Sequence, residues 1–240
     1  MNADKRKKTE SSLLRLRTLP FKKEIVETTK EILTIDHDIF DNNPYLLGFN
    51  NMVYDLKAGK FRDYVRDDFV SITTGYDWVE PTAEELNTMN ELIKSIMPIE
   101  EERECYLRIL STGLCGLTLE NFIVFNGGGR NGKGLLDDLL IQALGNLRYA
   151  IVANNAILTE KKRTGCNPEI ANLHKKRLVI FREISSREKF DNGVVKDLTG
   201  GGFITARGLY EQQTQKINAM TCIVECLYLR KHLKSQKWNV

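Results

Sequence analysis

The chain has 240 residues, 42% apolar and 28% charged, with a net charge of +3. That length can bury the core of one or two domains, and the composition is ordinary for a globular protein. The charge is too small to argue for nucleic acid by itself. The N-terminus MNADKRKKTE lacks the apolar segment of a signal peptide, and no run of ~20 apolar residues exists. The expectation is an intracellular protein, not secreted and with no membrane partner. The five cysteines, Cys105, Cys115, Cys166, Cys222 and Cys226, form no C-x-x-C pair and show no zinc-ligand spacing. They read as small buried hydrophobes in a reducing compartment.

In chain order, the basic run Lys5 to Lys8 reads as a frayed, solvated tail. SSLLRLRTLPFKKEIVETTKEILTI then predicts a helix interrupted near Pro20. Between Tyr45 and Trp78 the apolar and aromatic residues come in short runs split by Asn50-Asn51 and Ala58-Gly59-Lys60, which predicts short strands and hairpins. PTAEELNTMNELIKSIM, 81 to 97, predicts a helix with Pro81 at its first position, and a second helix follows Pro98. From Asn121 the rhythm changes. FIVF is a buried-strand run, KGLLDDLLIQAL is helical, and YAIVA is a strand followed by helical pieces around Asn155 to Leu173. RLVIF, 177 to 181, is another strand, and GFITARGLYEQQTQKINAMTCIVEC reads as a hairpin feeding a third core strand. This alternation argues for a parallel, three-layer α/β domain whose boundary falls near 117 to 120. The segments are then a helical stretch 1–44, a smaller α+β domain 45–118, the α/β core 119–226 and a tail 227–240.

The chemistry is concentrated in NFIVFNGGGRNGKGLLDDLL, 121 to 140. Gly127, Gly132 and Lys133 fit the phosphate-loop pattern Gly-x-x-x-x-Gly-Lys-Ser/Thr, but Gly134 stands where the hydroxyl belongs. Glycines let backbone N–H groups converge on a phosphate, and the following helix presents its positive end. The expected nucleotide site is therefore Gly127, Gly128, Gly129, Arg130, Asn131, Gly132, Lys133 and Gly134, with Lys133 reaching the β- and γ-phosphates. A glycine-rich turn beside a helix is the plainer reading of the same letters. The missing hydroxyl normally ligates Mg²⁺, and a water can take its place because magnesium keeps several. Asp137, one turn along, is available to help, but reads more simply as a solvated carboxylate near a helix start. Glu183, directly after RLVIF and Arg182, is the expected catalytic carboxylate, holding Mg²⁺ through water and orienting the attacking water.

These blocks together resemble one family. NPEIANLHKKRLVIFREI followed by VVKDLTGGGFITARGLYE, with GGGRNGKG upstream, is similar to the superfamily 3 helicase domain of helicase–primases of the poxvirus and giant-virus type. LLGFNNMVYDLKAGKFRDYVRDDFVSITTGYDW resembles the domain that precedes it in those proteins. The resemblance implies an AAA+-like P-loop NTPase core that binds ATP and Mg²⁺ between the subunits of a hexameric ring around single-stranded DNA. It places the protein in the host cytoplasm, in a viral factory, or in the nucleus. It also implies a DNA-contacting hairpin, here about Phe203 to Thr221, with Arg207 and Lys216 as cations and Lys196 as a matching family lysine. Each of these charges also reads as ordinary solvated surface.

Three positions depart from the family pattern. Gly134 lacks the hydroxyl, Gly202 stands where an Asp usually follows the paired glycines, and Leu227 stands where an Asn is expected after TCIVEC. LYLRKHLKSQKWNV follows no family pattern, so the core is expected to be C-terminally incomplete and ATP turnover by this chain weak. A nucleotide- or DNA-binding remnant without turnover is the competing expectation. A small-molecule P-loop kinase is a third, against which the strand-rich upstream domain and LTGGGFITARGLY speak.

Overall fold

A computed structural model describes residues 3–32, 39–117, 119–128, 131–159, 167–182, 184, 189–200, 202–209, 214–218 and 220–226. The chain divides into two compact units, 1–40 and 41–240. The first holds α1 (Ala3–Leu16) and α2 (Leu19–Ile32). The break falls at Arg17-Thr18, where Thr18 donates both its N–H and its hydroxyl back to the Arg15 carbonyl. Pro20 sits just after the break, within the first turn of α2, where a missing N–H is no loss.

The second unit begins with an antiparallel meander, β1 (Leu46–Gly48), β2 (Val53–Asp55) and β3 (Lys60–Arg62), in which Leu47 faces Tyr54 and Tyr54 faces Phe61. Gly59 makes the β2–β3 turn at φ +63°, a left-handed conformation that suits glycine. Phe49, Phe61 and Trp78 form an aromatic cluster, with Phe61 stacked on Trp78 at 4.1 Å between centroids. Next come α3 (Ala83–Ile96) and α4 (Glu100–Thr112). The first position of α3 is not Pro81: Thr82 is the N-cap, its hydroxyl accepting from the Glu85 N–H while the Glu85 carboxylate accepts from the Thr82 N–H. A reciprocal capping box of this kind satisfies two otherwise orphan donors and marks the helix start.

Four strands, β4 (Phe122–Asn126), β5 (Ala150–Ala153), β6 (Leu178–Phe181) and β9 (Thr221–Cys226), form a fully parallel sheet in the order β4-β9-β6-β5. Between them lie α5 (Lys133–Ala143), the short helices α6 (Ala156–Thr159) and α7 (Pro168–Ala171), α8 (Asn192–Thr199), and the hairpin β7 (Phe203–Ala206) with β8 (Gln215–Asn218). Both faces of the sheet are covered, which explains why β6 and β9 are buried at every position. Val179, Phe181, Cys222 and Val224 face α8 and the hairpin through Val194, Leu198, Ile204 and Ile217. Leu178, Ile180 and Ile223 face Ile141 and Leu144 at the end of α5 and Leu47 and Phe49 of the meander region. Cys222 and Cys226 are buried as expected, Cys115 is half-buried and Cys105 is exposed on α4, contrary to expectation; Cys166 lies outside the described residues.

The meander is tied to the sheet at the N-terminal ends of β5 and β6. Arg177 is buried and donates to the Leu114 carbonyl at 2.6 Å and the Leu46 carbonyl at 2.5 Å. Its guanidinium lies 4.6 Å from the centroid of the Tyr149 ring. The Tyr149 hydroxyl in turn donates to the Ile72 carbonyl and accepts from the Gly48 N–H. The opposite, C-terminal edge of the sheet is left to the glycine loop.

Candidate nucleotide-binding site

The loop leaves β4, whose neighbour is β9, and its first amide is held there: the Gly127 N–H donates to the Cys226 carbonyl at 3.3 Å. At its far end Gly132 caps α5 at φ +81°. A Cβ there would lie 2.9–3.1 Å from three carbons of Ile96, the last residue of α3. Glycine is thus required twice, for the backbone conformation and for the close approach of α3. The amides of Lys133 and Gly134 open α5, where the first turn has no intrahelical acceptors.

Two side chains fold back over the loop. A Cβ on Gly127 would fall 2.8 Å from Asn131 Nδ2 and 2.9 Å from Lys133 Nζ. Lys133 Nζ also donates to the Gly128 carbonyl at 3.4 Å. The arrangement is a cation, a side-chain amide and open helix amides around a glycine that leaves the space clear, and such a cradle fits a phosphate. A Cβ at Gly134 would meet nothing within 4 Å, so crowding does not explain the missing hydroxyl and a water has room there. Gly129, Arg130 and Glu183 lie outside the described residues.

Asp137 is not a solvated carboxylate. It is 1% exposed and faces inward from α5. The helix turns it toward Arg182, whose Nε stands 3.5 Å from Asp137 Oδ2 and whose Nη2 donates to Asp138 Oδ1 at 2.7 Å. Glu225, on β9, is buried beside it, and Tyr106 of α4 lies within the field of both carboxyls. Burial, then the Glu225 charge, push the Asp137 carboxyl up to about 7, while Arg182 pulls it down. Asn155, just past β5, donates to the Arg182 carbonyl at 2.6 Å. Sequence reasoning missed the roles of Arg182, Asn155 and Glu225. The signals were charges inside apolar runs, Asp137-Asp138 in LLDDLL and Glu225 in TCIVEC.

The three cations assigned to DNA are not all together. Lys216 is exposed on β8 opposite Thr205, and Arg207 follows β7 on the other arm, so the hairpin carries both. Lys196 is on α8 and exposed there. The hairpin itself spans Phe203 to Asn218, and Thr221 already belongs to the central strand β9. The loop between its arms, 210–213, lies outside the described residues, as do Leu227 and the tail to 240. Phe203 is 56% exposed, with Lys216 Nζ 4.4 Å from its ring centroid.

Residues 2–98 match the family described as "D5 N terminal like". The protein named "Putative helicase L207/L206" of Acanthamoeba polyphaga mimivirus is 39% identical over 72% of this chain and 18% of its own length. "Primase D5" of fowlpox virus is 30% identical over 87% of this chain and 28% of its own length. "Uncoating factor OPG117" of vaccinia virus is 32% identical over the same shares. The chain therefore spans 18% to 28% of the length of these relatives. Among solved structures, the apo C-terminal region of NrS-1 overlaps 91% of this chain and 56% of its own, with a TM-score of 0.47 and 14% identity, too loose to carry an argument. On the sequence matches, the chain belongs to the helicase–primase family of poxviruses and giant viruses.

Proposed function

We propose that this chain is the ATP-binding part of a viral replicative DNA helicase of superfamily 3, with a three-layer, AAA+-like P-loop NTPase core. The observation that carries the reading is Lys133 and Asn131 folding over Gly127 at the end of a parallel strand, with the open end of α5 behind them. Lys133 and the loop amides bind and orient the phosphates of ATP. Bound Mg²⁺ would supply charge neutralisation at those phosphates, held by water at Gly134 and by Glu183. In the complete protein, hydrolysis drives translocation along single-stranded DNA through a hexameric ring, and the β7–β8 hairpin, with Lys216 and Arg207, contacts the strand. The names of the relatives, helicase and primase, support this assignment.

The second reading is nucleotide or DNA binding without turnover. It is favoured by Gly134, which offers no hydroxyl although the space for one is open. Equilibrium ATP titration with and without Mg²⁺, together with an ATPase assay, tests both. Lys133→Ala should weaken ATP binding at least tenfold, and unchanged affinity would refute the phosphate-loop assignment. Vigorous DNA-stimulated hydrolysis by this chain would exclude the second reading.

A further inference from the structure

On α5 and at the end of β9, two buried carboxyls lie close together. Asp137 and Glu225 are 1% and 7% exposed, from α5 and β9. Among the described residues, Arg182 at the end of β6 is the cation in contact with Asp137, and its shorter contact goes to the exposed Asp138. Asp137 Oδ2, Glu225 Oε1 and Arg182 Nε are all buried without a hydrogen bond among the described residues. Burial, and the Glu225 charge beside it, make ionisation of Asp137 costly, so this carboxyl retains its proton well above the ordinary carboxylate range despite Arg182. Two further titratable neighbours among the described residues add no charge. Tyr106, from α4, is pushed up by burial and by the two carboxyls and stays neutral. The Cys226 thiol beside Glu225 is pushed up by burial and stays neutral.

Lys133 stands four residues before Asp137 on the same helix, about 6 Å along its axis. A triphosphate held there brings several negative charges within roughly a Debye length of the pair. It also engages Lys133, a cation that otherwise favours ionisation nearby. Both effects act in the same direction, toward the protonated Asp137 carboxyl. We propose that nucleotide binding at Lys133 is linked to uptake of a proton from solvent by the buried Asp137 carboxyl, which lies against Glu225 and Arg182, so that Asp137 is a proton-linked group of the nucleotide site. The inference rests on the phosphate-loop reading above. By linkage, nucleotide affinity falls as pH rises through the range in which Asp137 of the free chain gives up its proton.

The test is calorimetric titration of Mg·ATP into the 240-residue chain at pH 7.5, in buffers of low and of high ionisation enthalpy. The nucleotide's own protonation contributes equally to every variant, so the difference between proteins is the readout. The wild-type chain should take up roughly 0.3–0.6 proton more than Asp137→Asn, and its affinity should fall roughly two- to fourfold per pH unit above that of the variant. Glu225→Gln is the second variant; it removes the charge that adds to burial in pushing the Asp137 carboxyl up, and should reduce the uptake. Equal proton uptake in wild type and both variants overturns the inference. So does an Asp137→Asn chain that melts like wild type yet binds no nucleotide, because the carboxyl would then act on the loop itself. Lys133→Ala separates the two claims. If it binds ATP as tightly as wild type, the phosphate-loop reading falls. If it loses binding while uptake is the same in wild type and the Asp137 variant, only the proton linkage falls.

Discussion

Replacing Arg177 by Met should loosen the whole second unit without touching the nucleotide loop. Arg177 is 7% exposed and forms no ion pair among the described residues. Its contribution comes from two charge-assisted hydrogen bonds to carbonyls of different segments, Leu46 and Leu114, and from the Tyr149 ring. Hydrogen bonds to a charged group are worth about 1.5–3 kcal/mol each, much of it the penalty of leaving the buried partner unpaired. The gross loss is then ~3–6 kcal/mol. Against this, burial already disfavours the guanidinium, pushing its pKa down, and removing it returns part of that desolvation. Methionine keeps most of the apolar stem. The balance is a net destabilisation of about 2–4 kcal/mol, or ~5–15 °C in melting temperature for a domain of this size. Arg177→Lys should recover less than half of this, because one ammonium does not span both carbonyls. Thermal melts followed by circular dichroism measure the effect, and ATP titration at low temperature supplies the control. Melting within 1 °C of wild type would refute the tether, and so would a loss of ATP affinity in a chain that remains folded.

Other expectations follow from single contacts. Gly132→Ala forces a left-handed alanine and presses on Ile96; it should destabilise by ~1–3 kcal/mol, and Ile96→Ala in the same chain should relieve the clash but not the backbone strain, a partial rescue visible in a double-mutant melting cycle. Asp137 has a folded pKa raised to about 7 from an ordinary 3.8, so its stabilising contribution is full below about pH 4 and is lost as pH rises through 7; Asp137→Asn should flatten that part of the pH–stability curve and be the more stable protein at pH 8 in urea titrations. Phe203→Ala and Lys216→Ala should each weaken oligothymidine binding, the former by ~1–3 kcal/mol if a base stacks on the exposed ring, with the Lys216 effect shrinking at high salt.

The parallel sheet was legible because its strands are apolar on both faces. FIVF, AIVA, LVIF and TCIVEC stand out as runs, and each became a strand. The strand–loop–helix arrangement around GGGRNGKG was legible because glycines break the pattern between two apolar runs. The strand order was not, since nothing local in TCIVEC says that it inserts between β4 and β6. Nor was α8 assigned from VVKDLTG. Its start depends on the Asp191 carboxylate accepting from the Gly193 and Val194 amides, a cap that a sequence rich in short polar residues hides. Asp137 was misjudged for a related reason. Position near a helix start argues for a solvated carboxylate, but the direction it faces is set by how α5 lies on the sheet, and that is tertiary information.

The two edges of the sheet show how the fold divides its work. At the N-terminal edge Arg177 and Tyr149 have their hydrogen bonds made, across segments more than a hundred residues apart in the case of Leu46 and Gly48. At the C-terminal edge, the buried side-chain atoms that have no hydrogen bond among the described residues are Asp137 Oδ2, Asn155 Oδ1, Arg182 Nε and Glu225 Oε1. Native interiors hold few such atoms, because each forfeits a kilocalorie or more. Their concentration at the ends of β5, β6 and β9, beside Lys133, is hard to reconcile with a purely structural role. An apolar filling would stabilise that edge better. The arrangement makes sense if the edge is poised for added charge and solvent, which is what a bound polyphosphate brings. The N-terminal edge holds the meander in register, and the C-terminal edge keeps these charged groups beside Lys133.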